Sequence, residues 1–193
     1  MDYTKKKFKK KYLLRNFVNF GSSDGFHILG LLKNKIFEKA LAFEINPIGR
    51  KIIKHNAKIN NLNNKIRIFG KADFQIVKKY LKPEELKKTL FLIDIEGAEY
   101  DLFSNDNLEV FKSSFFVIED HPFTTTDKQK KNEFYKKINS KFFLEHISSG
   151  SRNPFKFKFL DYLNDNEKWL LISESRPETM RWIVLYPKKN IKN

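Results

Sequence analysis

Residues 90–100 read LFLIDIEGAEY, and this stretch decides the fold class. Its first part, residues 90–95, is almost continuously apolar, which is typical of a parallel β-strand covered on both faces. The end of this segment becomes acidic at Asp94, Glu96 and Glu99. Ligands of open parallel sheets bind beyond the carboxyl ends of the strands, so these carboxylates are candidates for a functional site.

The segments on either side alternate between strand patterns and helix patterns. They predict seven strands, at residues 17–20, 39–45, 65–72, 90–95, 114–118, 142–147 and 180–186. They also predict four helical segments. These lie at residues 26–35, from Pro47 to the polar cluster 60–64, within 73–89, where a second helix begins at Pro83, and from Thr126 or Asp127 to Ser140. This alternation implies an α/β fold with a mostly parallel sheet, right-handed crossovers and helices on both faces.

The helix patterns also predict which side chains are buried. Ile48, Ile52 and Ile59 lie at near-helical spacing and predict the apolar stripe of the second helix. His27 lies within an apolar helix and is expected to be a core or pocket residue. Trp169 and Trp182 are expected in the core, with stacking on a sugar ring as the alternative.

Composition indicates one domain spanning residues 1–193, because a chain of this length fits one core. Residues 1–15 form a basic arm, which lacks the apolar run of a secretory signal. No segment is long and apolar enough to cross a bilayer, and there is no cysteine, so we expect a cytoplasmic protein. Residues 148–177 have the weakest periodicity and are predicted to be an insertion that forms part of a substrate pocket.

The formal net charge is +15, which would suit nucleic acid, a nucleotide-linked substrate or a membrane surface. However, Lys, Asn, Ile and Phe are abundant together, and the lysines are spread along polar faces. Biased composition therefore explains the charge better than a polyanionic partner does.

The loop GSSDG at residues 21–25 joins the first strand to its helix. A tight glycine turn lets backbone N–H groups approach a ligand, and Gly21 and Gly25 fit that role. Glu44 follows the second strand, 23 residues after Gly21, where a carboxylate can accept hydrogen bonds from the ribose of a nucleotide cofactor. The dinucleotide fingerprint G-x-G-x-x-G is absent.

The same loop also satisfies the G-x-S-x-G pattern of a hydrolase nucleophile elbow, with Ser23 as the nucleophile. Asp120 and His146 are the acid and the histidine that would complete a triad with it. Nothing in their spacing favours this alternative.

Catalytic candidates lie at the ends of the fourth and fifth strands. Asp94 and Glu96 are two residues apart on a predicted strand, which would place them on one face about 6 to 7 Å apart. Glu119 and His121 repeat this arrangement on the next strand. His121 is the best candidate for a general base, because histidine titrates near neutral pH.

The late segment contains candidates for substrate binding. Arg152 and Arg176 could hold a phosphate or carboxylate of an anionic acceptor, and Trp182 could stack on it. The four histidines form no metal-binding pattern, so no metal site is predicted, although the acidic cluster could recruit Mg²⁺.

Four stretches together resemble the FkbM family of S-adenosylmethionine-dependent methyltransferases. They are FVNFGSSDGFHILGLL, ALAFEINPIGRKIIKHNAKINNLNNKIRIFGKA, LFLIDIEGAEYDLF and FFVIEDH, and they cover residues 17 to 121 in the family's order. The most specific elements are AFE-x-NP and D-I-E-G-A-E. The sequence differs from the family at Asn19, where an acidic residue is usual, and at Ser23, where many methyltransferases have glycine.

The resemblance implies a seven-stranded, Rossmann-like class I methyltransferase sheet with an antiparallel last strand. It implies that Gly21, Ser23 and Gly25 surround the methionine part of the cofactor and that Glu44 holds the ribose. Asn46 would also contact the cofactor, in the AFE-x-NP element.

By the same resemblance, Asp73 would lie near the adenine, and Asp94 and Glu96 would face the methyl-transfer site. The expected reaction is O-methylation of a sugar, a glycan or a small metabolite. A nucleic-acid methyltransferase using lysines 5–11 and a non-catalytic cofactor-binding domain are the alternatives.

Overall fold

The computed structural model describes residues 13–121, 128–148, 150, 152–173 and 180–188. It contains a seven-stranded sheet, as the sequence predicts. The strands are β1 (Asn16–Phe20), β2 (Lys39–Phe43), β3 (Ile66–Phe69), β4 (Thr89–Ile93), β5 (Phe115–Asp120), β6 (Phe142–Ser148) and β7 (Arg181–Pro187). Their order across the sheet is β3-β2-β1-β4-β5-β7-β6.

Helices connect most of these strands. They are α1 (Phe26–Lys33), α2 (Pro47–Ile59), α3 (Phe74–Tyr80), α4 (Pro83–Leu86), α5 (Glu99–Leu102), α6 (Asn105–Phe111), α7 (Lys128–Lys141) and α8 (Asp165–Ser173). Short 3₁₀ turns lie at Asn63–Lys65, Pro154–Lys156 and Lys158–Leu160. The helix α2 begins where predicted, because Asn46 caps it and Pro47 has the backbone angle of a first helical residue.

The sheet is parallel from β3 to β5, and β7 pairs antiparallel with both β5 and β6. The predicted antiparallel last strand is therefore confirmed. The chain moves outward from β1 in one direction to β3 and then returns to β4 on the other side of β1. The carboxyl ends of β1 and β4 therefore flank the topological switch point, where doubly wound sheets bind ligands.

Each face of the sheet has its own hydrophobic core. One core contains Phe91 and Phe116 from the sheet and Phe74, Phe111 and Phe134 from α3, α6 and α7. The other is formed by the opposite sheet face with α1 and α2, which contribute residues such as Ile28 and Ile53. The prediction of helices on both faces is confirmed.

Several predictions of burial are wrong. Ile48, Ile52 and Ile59 are exposed, because α2 turns Ile53 and Ala57 to the sheet instead. His27 is exposed beside Phe26, since only the opposite side of the short helix α1 contacts the core. Trp169 is also exposed.

The segment between β6 and β7 begins and ends at the same edge of the sheet as the carboxyl ends of the parallel strands. Its described part consists of two 3₁₀ turns and α8, and no residue of α8 is buried. Among the described residues, no helix is both long and apolar enough to cross a membrane.

Candidate active site

Gly21 lies where the ends of β1 and β4 come closest. Its φ of +79° belongs to the left-handed region, and a Cβ atom at this position would lie 1.7 Å from the carbonyl oxygen of Asp94. Only glycine fits both conditions. The glycine loop and the acidic end of β4 are therefore direct neighbours.

Glu44 connects the loops after β1 and β2. Its Oε2 accepts a hydrogen bond from the backbone N–H of Ser23 at 2.7 Å, and its Oε1 accepts one from the N–H of Asn46 at 2.8 Å. Gly49 allows α2 to pass closely, since a Cβ there would lie 2.8 Å from the Glu44 side chain. Gly49 was not among the predicted site residues, because a glycine in the first turn of a helix has no distinctive sequence pattern.

Most backbone N–H groups of the glycine loop already have partners inside the protein. Those of Gly21 and Ser22 donate to the carbonyl oxygen of Phe43, and that of Gly25 donates to Ser22. With the N–H of Ser23 bound to Glu44, this loop conformation offers few donors to a ligand. The loop would therefore contact a cofactor through its side chains or by van der Waals packing of its backbone, and less through backbone N–H groups.

Two further predicted cofactor residues have local structural roles. Asn46 Oδ1 accepts from the N–H of Ile48 at 2.9 Å and caps α2. Asp73 Oδ1 accepts from the N–H of Gln75 at 2.7 Å and caps α3. Both lie beyond the carboxyl ends of strands β2 and β3, on the same edge as Glu44.

The contacts of Asn19 explain why an amide stands where the family usually has an acidic residue. The side chain is buried, and its Nδ2 donates to the carbonyl oxygens of Gly21 and Leu92 at 3.3 and 3.4 Å. A carboxylate would face these carbonyl oxygens without a proton to donate. The amide therefore stabilises the junction between β1 and β4.

His121 lies at the centre of a group of carboxylates. Its Nε2 is 3.7 Å from Asp94 Oδ1 and 3.5 Å from Glu96 Oε2, and its Nδ1 is 3.0 Å from Glu99 Oε1. Burial alone would lower the pKa of His121, but the hydrogen bond with Glu99 and the charges of Glu99, Glu119 and Glu96 raise it overall above its ordinary value. The four predicted catalytic residues thus lie together at one site.

Asp94 and Glu119 interact closely within this group. Burial, together with the negative charge and the hydrogen bonding of Glu119, raises the pKa of Asp94 to about 7. Asp94 Oδ1 is buried and has no hydrogen-bond partner among the described residues. Oxygen atoms of Asp94 and Glu119 and a ring nitrogen of His121 lie within 4.8 Å of one another, close enough to contact one cation. The absence of a metal site stays a prediction.

The prediction that Asp94 and Glu96 lie two residues apart on one strand is wrong. The strand ends at Ile93, and Glu96 lies in a turn with φ of +55°, followed by Gly97 with φ of +98°. This turn reverses the chain, so that Glu96 approaches His121 from the solvent while Glu99 approaches it from inside. Sequence spacing along a strand could not reveal the role of Glu99.

Asp120 belongs to a separate network on the other face of the sheet. Its carboxylate accepts hydrogen bonds from Tyr100 at 2.5 Å and Tyr135 at 3.2 Å, and it pairs with Arg181 at 2.6 Å. Burial and the nearby carboxylate raise the pKa of both tyrosines. The hydrolase alternative is not supported, since Ser23 follows β1 whereas His146 lies in β6, four strands away across the sheet.

The predicted substrate residues are only partly in position. Arg152 donates to the carbonyl oxygen of Ile172 at 2.9 Å, so it joins the first part of the insertion to α8 near its end. Trp182 pairs with Glu119 across β5 and β7 and is half-buried against the sheet. Arg176 lies outside the described residues, as do lysines 5–11 of the basic arm.

Two cavities flank α2, and one of them reaches Asp24 and Gly25 of the glycine loop. One, of about 610 Å³, lies between α2 and β3 and is lined by Lys51, Lys54, His55 and Lys58 over an apolar floor. The other, of about 290 Å³, lies between α1 and α2.

Several solved structures with the same fold are methyltransferases. A candidate O-methyltransferase from Klebsiella pneumoniae has a TM-score of 0.59 and 8% identity, covering 95% of this chain and 78% of its own. The M1A22 tRNA methyltransferase TrmK of B. subtilis has a TM-score of 0.56 and 12% identity, covering 97% and 65%. TrmK of M. capricolum in complex with S-adenosyl-homocysteine has a TM-score of 0.54 and 15% identity, covering 97% and 69%.

These similarities establish the fold, a class I methyltransferase-like sheet. The chain matches no family model and no curated protein, so the FkbM resemblance rests on its sequence motifs alone.

Proposed function

We propose that the protein is an S-adenosylmethionine-dependent methyltransferase. The observation that carries this proposal is the alignment, along one sheet edge, of Glu44 after β2, Gly21 after β1, Asp94 after β4 and His121 after β5. Solved structures of the same fold with S-adenosyl-homocysteine or S-adenosyl-L-methionine bound support this choice of cofactor.

The residues present fit such a cofactor. Each oxygen of Glu44 accepts one backbone hydrogen bond, which leaves further lone pairs for the two hydroxyls of a ribose. Asp94 Oδ1 is buried and lacks a partner among the described residues, so it can accept a donor or a positive charge of a ligand. Gly21, Ser23, Gly25, Asn46 and Asp73 are proposed to line the same site.

When bound, the cofactor supplies an electrophilic methyl group on a sulfonium. His121 would accept the proton that the acceptor loses, through Nε2, while Asp94 and Glu96 orient the acceptor. The negative charges around His121 stabilise its protonated form. Glu119 is buried, and its charge would favour a protonated Asp94, since it raises the pKa of that carboxyl group.

The acceptor is proposed to be a hydroxyl of a sugar, a glycan or a small metabolite. An anionic acceptor is less compatible with the site, because its charge would face Asp94, Glu96 and Glu119. We therefore favour an uncharged acceptor over the anionic one that Arg152 and Arg176 suggested.

The groove between α2 and β3 favours a second candidate, an RNA methyltransferase. Lys51, Lys54 and Lys58 line this groove together with His55, and none of the ion pairs found in the described part of the chain involves them. A tRNA methyltransferase shares the fold. Binding of a tRNA transcript that weakens steeply with salt, and weakens further in Lys54→Glu, would favour this candidate.

Calorimetric titration with S-adenosylmethionine and S-adenosyl-homocysteine tests the cofactor site. Glu44→Gln keeps the side-chain size but places an N–H₂ group where an acceptor is needed, so we expect affinity to fall by at least about tenfold, or ~1.4 kcal/mol. Glu38→Gln is the matched control, because Glu38 precedes β2 and is exposed. Thermal unfolding of both variants checks that the loss of affinity does not come from a loss of folded structure.

Binding of neither ligand to the unmodified chain would contradict the proposal. Binding without turnover across a panel of hydroxyl acceptors would favour a non-catalytic domain. Equal loss of affinity in both glutamate variants would exclude Glu44 as the ribose contact.

A further inference from the structure

Glu99 is a buried carboxylate that lies next to the candidate active site. Its side chain is fully buried, at 0% exposure, in the first turn of α5. A buried charge is retained only where hydrogen bonds or opposite charges compensate its lost hydration. Each contact of Glu99 therefore indicates what the residue does.

Among the described residues, the hydrogen-bond partners of Glu99 belong to two residues, Gly97 and His121. Oε2 accepts the backbone N–H of Gly97 at 2.8 Å. Oε1 accepts the backbone N–H of His121 at 3.1 Å and lies 3.0 Å from its ring Nδ1. Both oxygens of Glu99 already accept backbone N–H groups, which favours Nδ1–H of His121 as the donor in this contact.

We propose that Glu99 is a positioning residue that holds His121 as the Nδ1–H tautomer and directs its Nε2 to the acceptor site. The neutral ring then has its free lone pair on Nε2, the atom that faces Asp94 and Glu96. The backbone contact fixes the end of β5 to the same carboxylate, so a flip of the ring would break its contact with Glu99, and a retraction of the strand end would break both contacts.

The catalytic meaning of this arrangement rests on the proposed function, whereas the tautomer itself is a property of the free protein. During methyl transfer to a hydroxyl, the new O–C bond forms as the C–S bond breaks and its electron pair goes to sulfur. The hydroxyl proton goes to Nε2 of His121, giving an imidazolium whose charge Glu99 stabilises through Nδ1–H. This is the role that the third member plays in catalytic triads.

The charged groups around the ring come from several elements. Asp94 and Glu96 face Nε2 from the end of β4 and its turn, Glu99 faces Nδ1 from α5, and Glu119 approaches from β5 itself. Glu99 is the only one of these carboxylates whose described contacts include both the ring and the backbone of His121. Removal of the other charges would leave the tautomer in place.

Long-range nitrogen–proton NMR correlation of the histidine rings tests the proposal without an acceptor. Spectra are recorded at about pH 9, where imidazoles are largely neutral. The chain has four histidines, so His121→Asn assigns the relevant signals. We expect a protonated Nδ1 and an unprotonated Nε2 for His121 in the unmodified chain, and the other tautomer as its main form would overturn the proposal.

Three variants separate positioning from charge. Glu99→Ala removes the acceptor, and we expect loss of the single Nδ1–H tautomer. Glu99→Gln keeps a carbonyl acceptor for Nδ1–H while removing the charge, and we expect the tautomer to return. Glu96→Gln removes a nearby charge only, and we expect no change of tautomer. An unchanged tautomer in Glu99→Ala, with native circular dichroism, would refute the assignment.

Calorimetry distinguishes failure of this inference from failure of the proposed function. We expect Glu99→Gln to bind S-adenosylmethionine within about twofold of the unmodified chain, because Glu99 has no contact with the loop that holds Glu44. A correct tautomer without cofactor binding would leave the positioning role intact and remove the methyltransferase function. If Glu99→Ala does not fold, the spectrum of the unmodified chain and that of Glu99→Gln still decide the question.

Discussion

The carboxylate pair of Asp94 and Glu119 should make the fold less stable as pH rises, and Asp94→Asn should relieve this cost. Burial and Glu119 raise the pKa of Asp94 from 3.8 to about 7. The folded protein therefore keeps a proton that the unfolded chain releases, and the free energy of unfolding falls between about pH 4 and about pH 7. Above about pH 7 the full cost is present.

The size of the effect follows from the same numbers. The difference between 3.8 and about 7 corresponds to at most about 4 kcal/mol at 1.36 kcal/mol for each tenfold change in proton affinity. The Asp94 side chain is 36% exposed, so solvent screens part of the cost. We therefore expect the stability of Asp94→Asn, relative to that of the unmodified chain, to increase by roughly 1–2 kcal/mol as the pH rises from about 5 to about 8.

Urea unfolding followed by tryptophan fluorescence at several pH values measures this difference. His121, whose raised pKa also makes stability fall with rising pH, contributes in the same direction, and the loss of Asp94 would reduce that contribution. Asp101→Asn is the control, because Asp101 is exposed and pairs with Lys130. A stability difference that stays constant with pH, or a variant that is less stable at about pH 8, would refute the reasoning.

Two further changes test the junction between β1 and β4. Gly21→Ala should lower stability by about 3 kcal/mol or more, because its Cβ would collide with the Asp94 carbonyl at a positive φ. Gly30→Ala is its matched control and should raise stability by about 0.5–1 kcal/mol, since no atom lies near that helix position. Thermal melts compare the two, and equal effects would contradict the close approach. Asn19→Asp should cost about 1–3 kcal/mol near neutral pH, measured by urea unfolding, because the buried carboxylate would face carbonyl oxygens. A gain in stability there would show that the loop can rearrange around an acid.

The sequence was a good guide to the sheet and a poorer guide to helix faces. Continuous apolar runs such as residues 90–93 identified strands buried on both sides. The stripe of Ile48, Ile52 and Ile59 gave a wrong prediction of the buried face of α2. The helix also contains Ile53 and Ala57 on another face, and these are the residues that it buries. Helix rotation depends on what the sheet presents, and periodicity contains no information about that.

The candidate site was also predicted in part. Asp94, Glu96, Glu119 and His121 were identified from strand ends and lie together in the structure. The reason given for Asp94 and Glu96 was wrong, since the chain leaves the strand at Ile93 and turns at Glu96. The assignment succeeded because all these residues follow parallel strands, whose ends meet at one edge however the following turn is built.

What the sequence determined by itself was the order of strands and helices, the burial of the central strands and the polar chemistry at the strand ends. These features depend on hydrophobic periodicity and on residue type, which are local properties of the chain. Only the tertiary structure decided that Glu44 closes the glycine loop, that Asp120 serves the opposite face, and that Glu99 holds His121. Each of these contacts joins residues about twenty positions apart, and hydrogen-bond direction depends on three-dimensional placement that no sequence pattern specifies.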